Sequence, residues 1–143
     1  MSEPEQSIDD WNRQVIEEFR ANDGKVGGYF AGSTLLLLTT TGAKSGRRRT
    51  SPLAALRDGD RLLVFGSNAG GTRHPAWYHN VLANPEVTVE FGTETYAATA
   101  VDIQGEEHDE LYARQVKVAP VFGEYQEKTS RVIPVVALYR RES

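Results

Sequence analysis

Four cations, Lys44, Arg47, Arg48 and Arg49, stand in and directly after a Gly-Ala-Lys-Ser-Gly turn at 42–46. Backbone N–H groups of such a turn and the Ser45 hydroxyl can join side-chain cations around phosphate oxygens, so the segment reads as a site for an anionic tail. A solvated hairpin turn whose charges keep a strand edge from pairing accounts for the same residues by spacing alone. The order is not the Gly-x-x-x-x-Gly-Lys-Ser/Thr of a P-loop, and nucleoside triphosphate hydrolysis is unsupported. Further on, 67–71 (Ser-Asn-Ala-Gly-Gly) is a small polar loop. Such a loop lets a ligand approach the backbone and offers N–H donors to ring carbonyls, although a plain connector has the same composition. His74, Trp77, Tyr78 and His79 then bring aromatic bulk suited to a flat ring. Trp77 serves either as a core anchor or as a stacking wall, and both roles bury it. A shared metal is not expected, because His74 and His79 lie five positions apart and His108 sits alone in a charged segment. Tyr125, after a proline-broken helix, carries a phenol that can give a hydrogen bond or proton to a group gaining negative charge, with ordinary packing as the alternative.

The elements that must position these groups follow from periodicity. Residues 7–22 place Ile8, Trp11, Val15 and Phe19 at helical spacing, with Ser7 as N-cap and Gly24 as stop. Runs at 34–41 and 50–56 read as strands flanking the basic turn, and Asp58-Gly59 marks a tight hairpin into an apolar strand at 62–66. Pro75 opens a helix to about Ala83, stopped at Asn84-Pro85. Val87, Val89 and Phe91 alternate with polar residues, and 96–103 returns as the partner strand. A polar surface helix is expected over 106–118, interrupted by Pro120 and Gly123. A last strand at 132–139 has Pro134 at an edge or bulge. The fold class is α+β, a mostly antiparallel split β-barrel of about six strands with about three flanking helices. Hairpins dominate and no Gly-x-Gly-x-x-Gly follows a strand, which argues against a Rossmann domain.

A length of 143 residues fits one domain, 1–143, with an N-terminal helix near 7–22 and a barrel near 34–140. Sixteen basic against twenty acidic residues give a net charge of -4, which argues against nucleic acid as a partner. With no cysteine, disulfides, thiolate nucleophiles and cysteine-ligated clusters are excluded, and electron chemistry must come from a bound organic cofactor or a non-cysteine metal site. The polar N-terminus and the short Leu35–Leu38 apolar run predict an unexported cytoplasmic protein.

Taken in order, 42–53, the Arg-Asp-Gly hairpin at 57–59, the loop 67–71 and the His-Pro-Ala-Trp-Tyr-His-Asn-Val-Leu-Ala-Asn-Pro segment at 74–85 resemble the deazaflavin-dependent nitroreductase family over about residues 8–140. The resemblance implies a split barrel of the kind that binds flavin mononucleotide, an actinobacterial or related source, and reduced coenzyme F420 as hydride donor. Position by position it implies that Lys44 and Arg49 hold the cofactor's phosphate and acidic tail, with Ser45 and Gly46 shaping the turn. It sets Ser51, Pro52 and Leu53 beside the deazaflavin, Ser67, Asn68, Gly70 and Gly71 at its ring, and Ala76, Trp77 and Tyr78 at the border of cofactor and acceptor. Tyr125 and Ser67 are the expected catalytic residues, Tyr125 as proton donor. Asn68 stands where some members carry lysine, and Phe122 and Lys128 where members active on bulky nitroimidazoles carry tyrosines. The implied reaction is hydride transfer to a small-molecule electron acceptor: a quinone, an enone or lactone, or a nitro compound. Flavin mononucleotide in the same groove and a non-catalytic F420-binding or storage protein are the alternatives. Homodimerisation is the family-level expectation. Weak membrane association through the N-terminal helix is weighed against that helix capping the barrel.

Overall fold

The computed structural model describes residues 8–22, 24, 34–67 and 70–141. The chain runs α1 (Ile8–Ala21), β1 (Leu35–Thr41), β2 (Arg48–Asp58), β3 (Arg61–Phe65), α2 (Ala76–Ala83), β4 (Glu86–Phe91), β5 (Glu94–Ile103), α3 (Gly105–Val118), α4 (Val121–Glu127) and β6 (Val135–Arg140). The strands close into a barrel in the order β1-β2-β3-β6-β5-β4, every neighbouring pair antiparallel. Two-residue connections join β2 to β3 and β4 to β5, with Gly59 and Gly92 both at a φ of 61° that side-chain-bearing residues rarely adopt.

Apolar side chains fill three regions. Leu36, Leu38, Leu62, Val64, Val89, Val136 and Leu138 point into the barrel. Leu63, Phe65, Val135 and Ala137 point outward from β3 and β6 and are covered by Leu111 and Tyr112 of α3 and Phe122 of α4. Leu35 and Leu37 point outward from β1 and receive Val15 and Phe19 of α1. This explains the uninterrupted leucine run: one face fills the barrel and the other meets a helix, so both faces of β1 are apolar. The helix therefore lies along the outer wall of β1 rather than capping an end. Its expected anchors Ile8 and Trp11, and the cap Ser7, have side chains outside the described ones.

The structure departs from the sequence expectations in two places. Pro120 does not merely interrupt a helix; it precedes a fourth, α4, because proline lacks only an N–H that the first turn leaves unpaired anyway. Pro134 lies just before β6, outside the ladder, and its carbonyl accepts the Gly66 N–H at 2.9 Å. Strand β6 is paired on both sides, with β3 and β5, so Pro134 has no edge there to occupy.

Candidate functional site

The antiparallel order brings the ends of β1, β3 and β5 and the starts of β2, β4 and β6 to one rim, and α2 lies on that rim. Its buried Asn80 donates from Nδ2 to Thr40 Oγ1 at 3.0 Å and accepts the Ala43 N–H on Oδ1 at 3.0 Å. Asn84 reaches the Thr41 carbonyl at 3.4 Å, and Tyr78 Oη donates to Asp102 at 2.9 Å. The helix is thereby tied to the basic turn at one end and to β5 at the other. Trp77 and Tyr78 point into the barrel core, while Ala76 is exposed at the helix start. Burial, and then the hydrogen bond to Asp102, push the Tyr78 phenol up to about 12. Gln104 also donates to this carboxylate oxygen, and the other oxygen of Asp102 is buried without a partner.

The basic turn is closed on itself. Gly42 N–H bonds the Arg47 carbonyl at 2.7 Å, Gly46 N–H the Gly42 carbonyl at 3.0 Å, and Arg47 N–H the Ser45 hydroxyl at 3.1 Å. Gly46 has φ 70°, and a Cβ on Gly42 would collide with Ser45 Oγ. Several N–H groups expected to face phosphate are thus spent inside the turn, which leaves the anion chemistry chiefly to the side chains of Lys44, Arg47, Arg48 and Arg49, all exposed. Arg48 also donates to Thr88 Oγ1 at 2.8 Å.

Strand β2 pairs with β1 from Arg48 to Ala54, but with β3 only from Ala55 to Asp58. Its first half has no strand on the β3 side, and this is the split in the barrel. Ala55 N–H bonds the Thr34 carbonyl, so antiparallel alternation directs the N–H groups of Leu53, Ser51 and Arg49 toward β1, and those of Thr50 and Arg48 toward the split. Pro52 falls on the split side, where its missing N–H costs no ladder bond. Pro52 is buried and Ser51 and Leu53 are half-buried.

Across the split, β3 leads into the small polar loop. Asn68 lies outside the described residues; Ser67, Gly70 and Gly71 are described. Gly70 adopts φ 79°, and a Cβ there would press at 3.1 Å on Lys128 and on the Tyr125 carbonyl. The loop therefore lies directly on the C-terminal end of α4, which carries the half-buried Tyr125 with its ring against Phe122 at 5.3 Å. Sequence reasoning missed Arg131. Its guanidinium donates to the carbonyls of Gly66 (3.0 Å), Ser67 (2.9 Å) and Gly71 (3.0 Å) and to His74 Nδ1 (3.0 Å). Burial lowers its pKa, and burial together with the Arg131 charge lowers that of His74. An isolated arginine before an apolar strand carries no spacing signal. Asn80 and Asp102 were missed for the same reason.

A cation cluster, an open strand edge with an apolar flank and a glycine-lined loop thus share one rim, a donor set that fits a phosphate-tailed flat ring. A concavity of about 210 Å³ lies at the other end of the barrel, between Arg20, Glu90 and the β4–β5 turn. Among the described residues no cluster of histidine and acidic side chains could hold a metal.

The sequence profile of the F420H(2)-dependent quinone reductase family matches residues 11–140. An F420H(2)-dependent quinone reductase of Mycobacterium tuberculosis is 42% identical over 129 residues, 86% of this chain and 85% of that protein. A solved F420-H2 dependent reductase (FDR-A) superposes with TM-score 0.68 at 40% identity over 73% of this chain and 93% of its own. A structure described as a domain-swapped dimer superposes with TM-score 0.70 at 37% identity, covering 92% and 99%. With the profile spanning nearly the whole barrel and the relatives aligned across the cation turn, the split and α2, the chain belongs to the F420H(2)-dependent quinone reductase family.

Proposed function

We propose that this F420-dependent reductase works as one split-barrel domain in which the groove between the first half of β2 and the 66–71 loop holds the cofactor against a quinone-type acceptor. The observation that carries the reading is the placement of the cation turn and the glycine loop on one rim with an unpaired strand edge between them. Bound F420H2 supplies the hydride, and a quinone taking up that hydride and one proton becomes the hydroquinone. Lys44 and Arg49 hold the phosphate and acidic tail by charge-assisted hydrogen bonds, with Ser45 and Gly46 fixing the turn. Ser51, Pro52 and Leu53 flank the ring, the backbone of Gly70 and Gly71 and the Ser67 hydroxyl contact it, and Asn68 completes the loop in sequence. Ala76 borders the acceptor space, while Trp77 and Tyr78 support it from within the barrel. Tyr125 delivers a hydrogen bond or proton to the acceptor oxygen as it gains charge, and the groove's orientation of the two reactants supplies most of the acceleration.

The protein works in the cytoplasm, self-associating as a homodimer, with weak peripheral contact to lipid through the N-terminal helix when the acceptor is membrane-dissolved; no described helix is long and apolar enough to cross a membrane. The test is parallel titration with oxidised F420 and with flavin mononucleotide, followed by tryptophan and cofactor fluorescence. Micromolar or tighter binding of F420 alone, weakened about ten- to a hundredfold by Lys44→Ala or Arg49→Ala, is expected. Preference for flavin moves the site to flavin mononucleotide as cofactor, and unchanged affinity in both variants refutes the clamp. Tyr125→Phe should retain F420 affinity and slow quinone reduction; equal turnover removes it as proton donor.

A further inference from the structure

We propose that Arg131 is the positioning residue of this site: by drawing in the carbonyls of Gly66, Ser67 and Gly71 and the Nδ1 of His74, it sets the backbone that meets the cofactor ring and fixes His74 as the tautomer with its proton on Nε2. The inference rests on the reading of the groove as a deazaflavin site.

Four contacts of 2.9–3.0 Å from one planar guanidinium to four separate acceptors are a geometry only arginine can make. The acceptors bracket the glycine loop on both sides and include the first histidine of the segment leading into α2. The donors thus turn carbonyl oxygens away from the groove, toward the 129–134 connection, and a peptide whose C=O points one way directs its N–H the other way. Ser67 C=O also accepts the Gly70 N–H at 2.8 Å, and Gly66 N–H is held by Pro134, so the loop is anchored at Gly66, Ser67 and Gly71 to the segment that follows α4. The Arg131 guanidinium has no lone pair to accept with and can only donate, so His74 Nδ1 must carry the lone pair and Nε2 the hydrogen. The charged and titratable groups around His74 are Arg131, His79, Asp102 and Tyr78. Arg131 and His79 oppose its protonation, and Asp102 favours it less strongly.

The test compares wild type with Arg131→Lys and Arg131→Gln, using F420 and the tailless deazaflavin riboside as probes. Lysine keeps the charge but cannot reach four acceptors, so both variants should lose about tenfold or more in affinity for each probe, since the ring contact is common to both. Lys44→Ala, by contrast, should weaken F420 and leave the riboside unchanged. Both Arg131 variants should still show a cooperative urea transition with the wild-type slope, so that the loss of both probes is read on folded protein. Independently of any variant, nitrogen NMR of the wild-type protein should find neutral His74 protonated at Nε2 and titrating below an ordinary histidine, and in Arg131→Gln the titration should move upward. Wild-type-like riboside binding in Arg131→Lys, or an Nδ1-protonated His74 in the wild type, overturns the proposal. Failure of the wild type to bind either probe instead overturns the deazaflavin reading and leaves the tautomer result to judge the arginine contact.

Discussion

Replacing Asn80 with alanine tests how α2 holds the basic turn. Asn80 is 7% exposed and its two bonds go to Thr40 Oγ1, itself 1% exposed, and to the Ala43 N–H, the residue directly before Lys44. Neutral hydrogen bonds contribute about 0.5–1.5 kcal/mol each, so losing both costs about 1–3 kcal/mol. Alanine's better helix propensity returns at most about 0.7 kcal/mol, so destabilisation wins. Urea unfolding should show a lower midpoint with an unchanged slope, the signature of lost stability without a change in the surface exposed. Because the Ala43 tether is gone, F420 affinity should fall as well, through the cofactor's tail. Asn80→Asp provides the contrast: its carboxylate still accepts from Ala43, and the Thr40 hydroxyl can rotate to donate, so the turn stays tethered while the buried charge lowers stability. A stability loss below about 0.5 kcal/mol in Asn80→Ala, or cofactor binding equal to wild type, would refute the account of α2 as the strut of the phosphate turn.

Phe19→Ala should cost about 3–5 kcal/mol in chemical denaturation, because this 2%-exposed ring joins α1 to Leu35 and Leu37 and its removal leaves a cavity. Stability should decline between about pH 10 and about pH 12, where the unfolded chain has lost its phenolic protons while Tyr78 and Tyr112, both raised to about 12 by burial, still hold theirs. Tyr78→Phe should flatten part of that decline in pH-dependent denaturation curves; an identical profile would count against the burial of its phenol. Gly70→Ala should weaken F420 binding and lower the melting temperature, since φ 79° strains any side chain and the new methyl presses on the Tyr125 carbonyl at 3.1 Å. Unaltered binding would show that the loop does not rest on α4 as described.

The sequence by itself determined the six strands, three of the four helices and which residue types gather on the rim. Alternation in 87–91, the Asp58-Gly59 turn and the proline-started α2 are local signals, written in side-chain period and backbone preference, and they recur in the structure with bounds moved by a few residues. The family was legible too, because the cation turn, the glycine loop and the aromatic helix keep their order along the chain. Three things came only from the tertiary structure. The leucine run of β1 is apolar on both faces because one faces the barrel and the other α1, a fact no strand period encodes. The split in the barrel arises where β2 outruns β3, which depends on register between strands. Asn80, Asp102 and Arg131 acquire roles only because residues dozens of positions away are brought within about 3 Å of them. A hydrogen bond between such distant groups leaves no periodic trace in either segment, so the residue types of the rim could be read from the chain while the geometry that positions them could not.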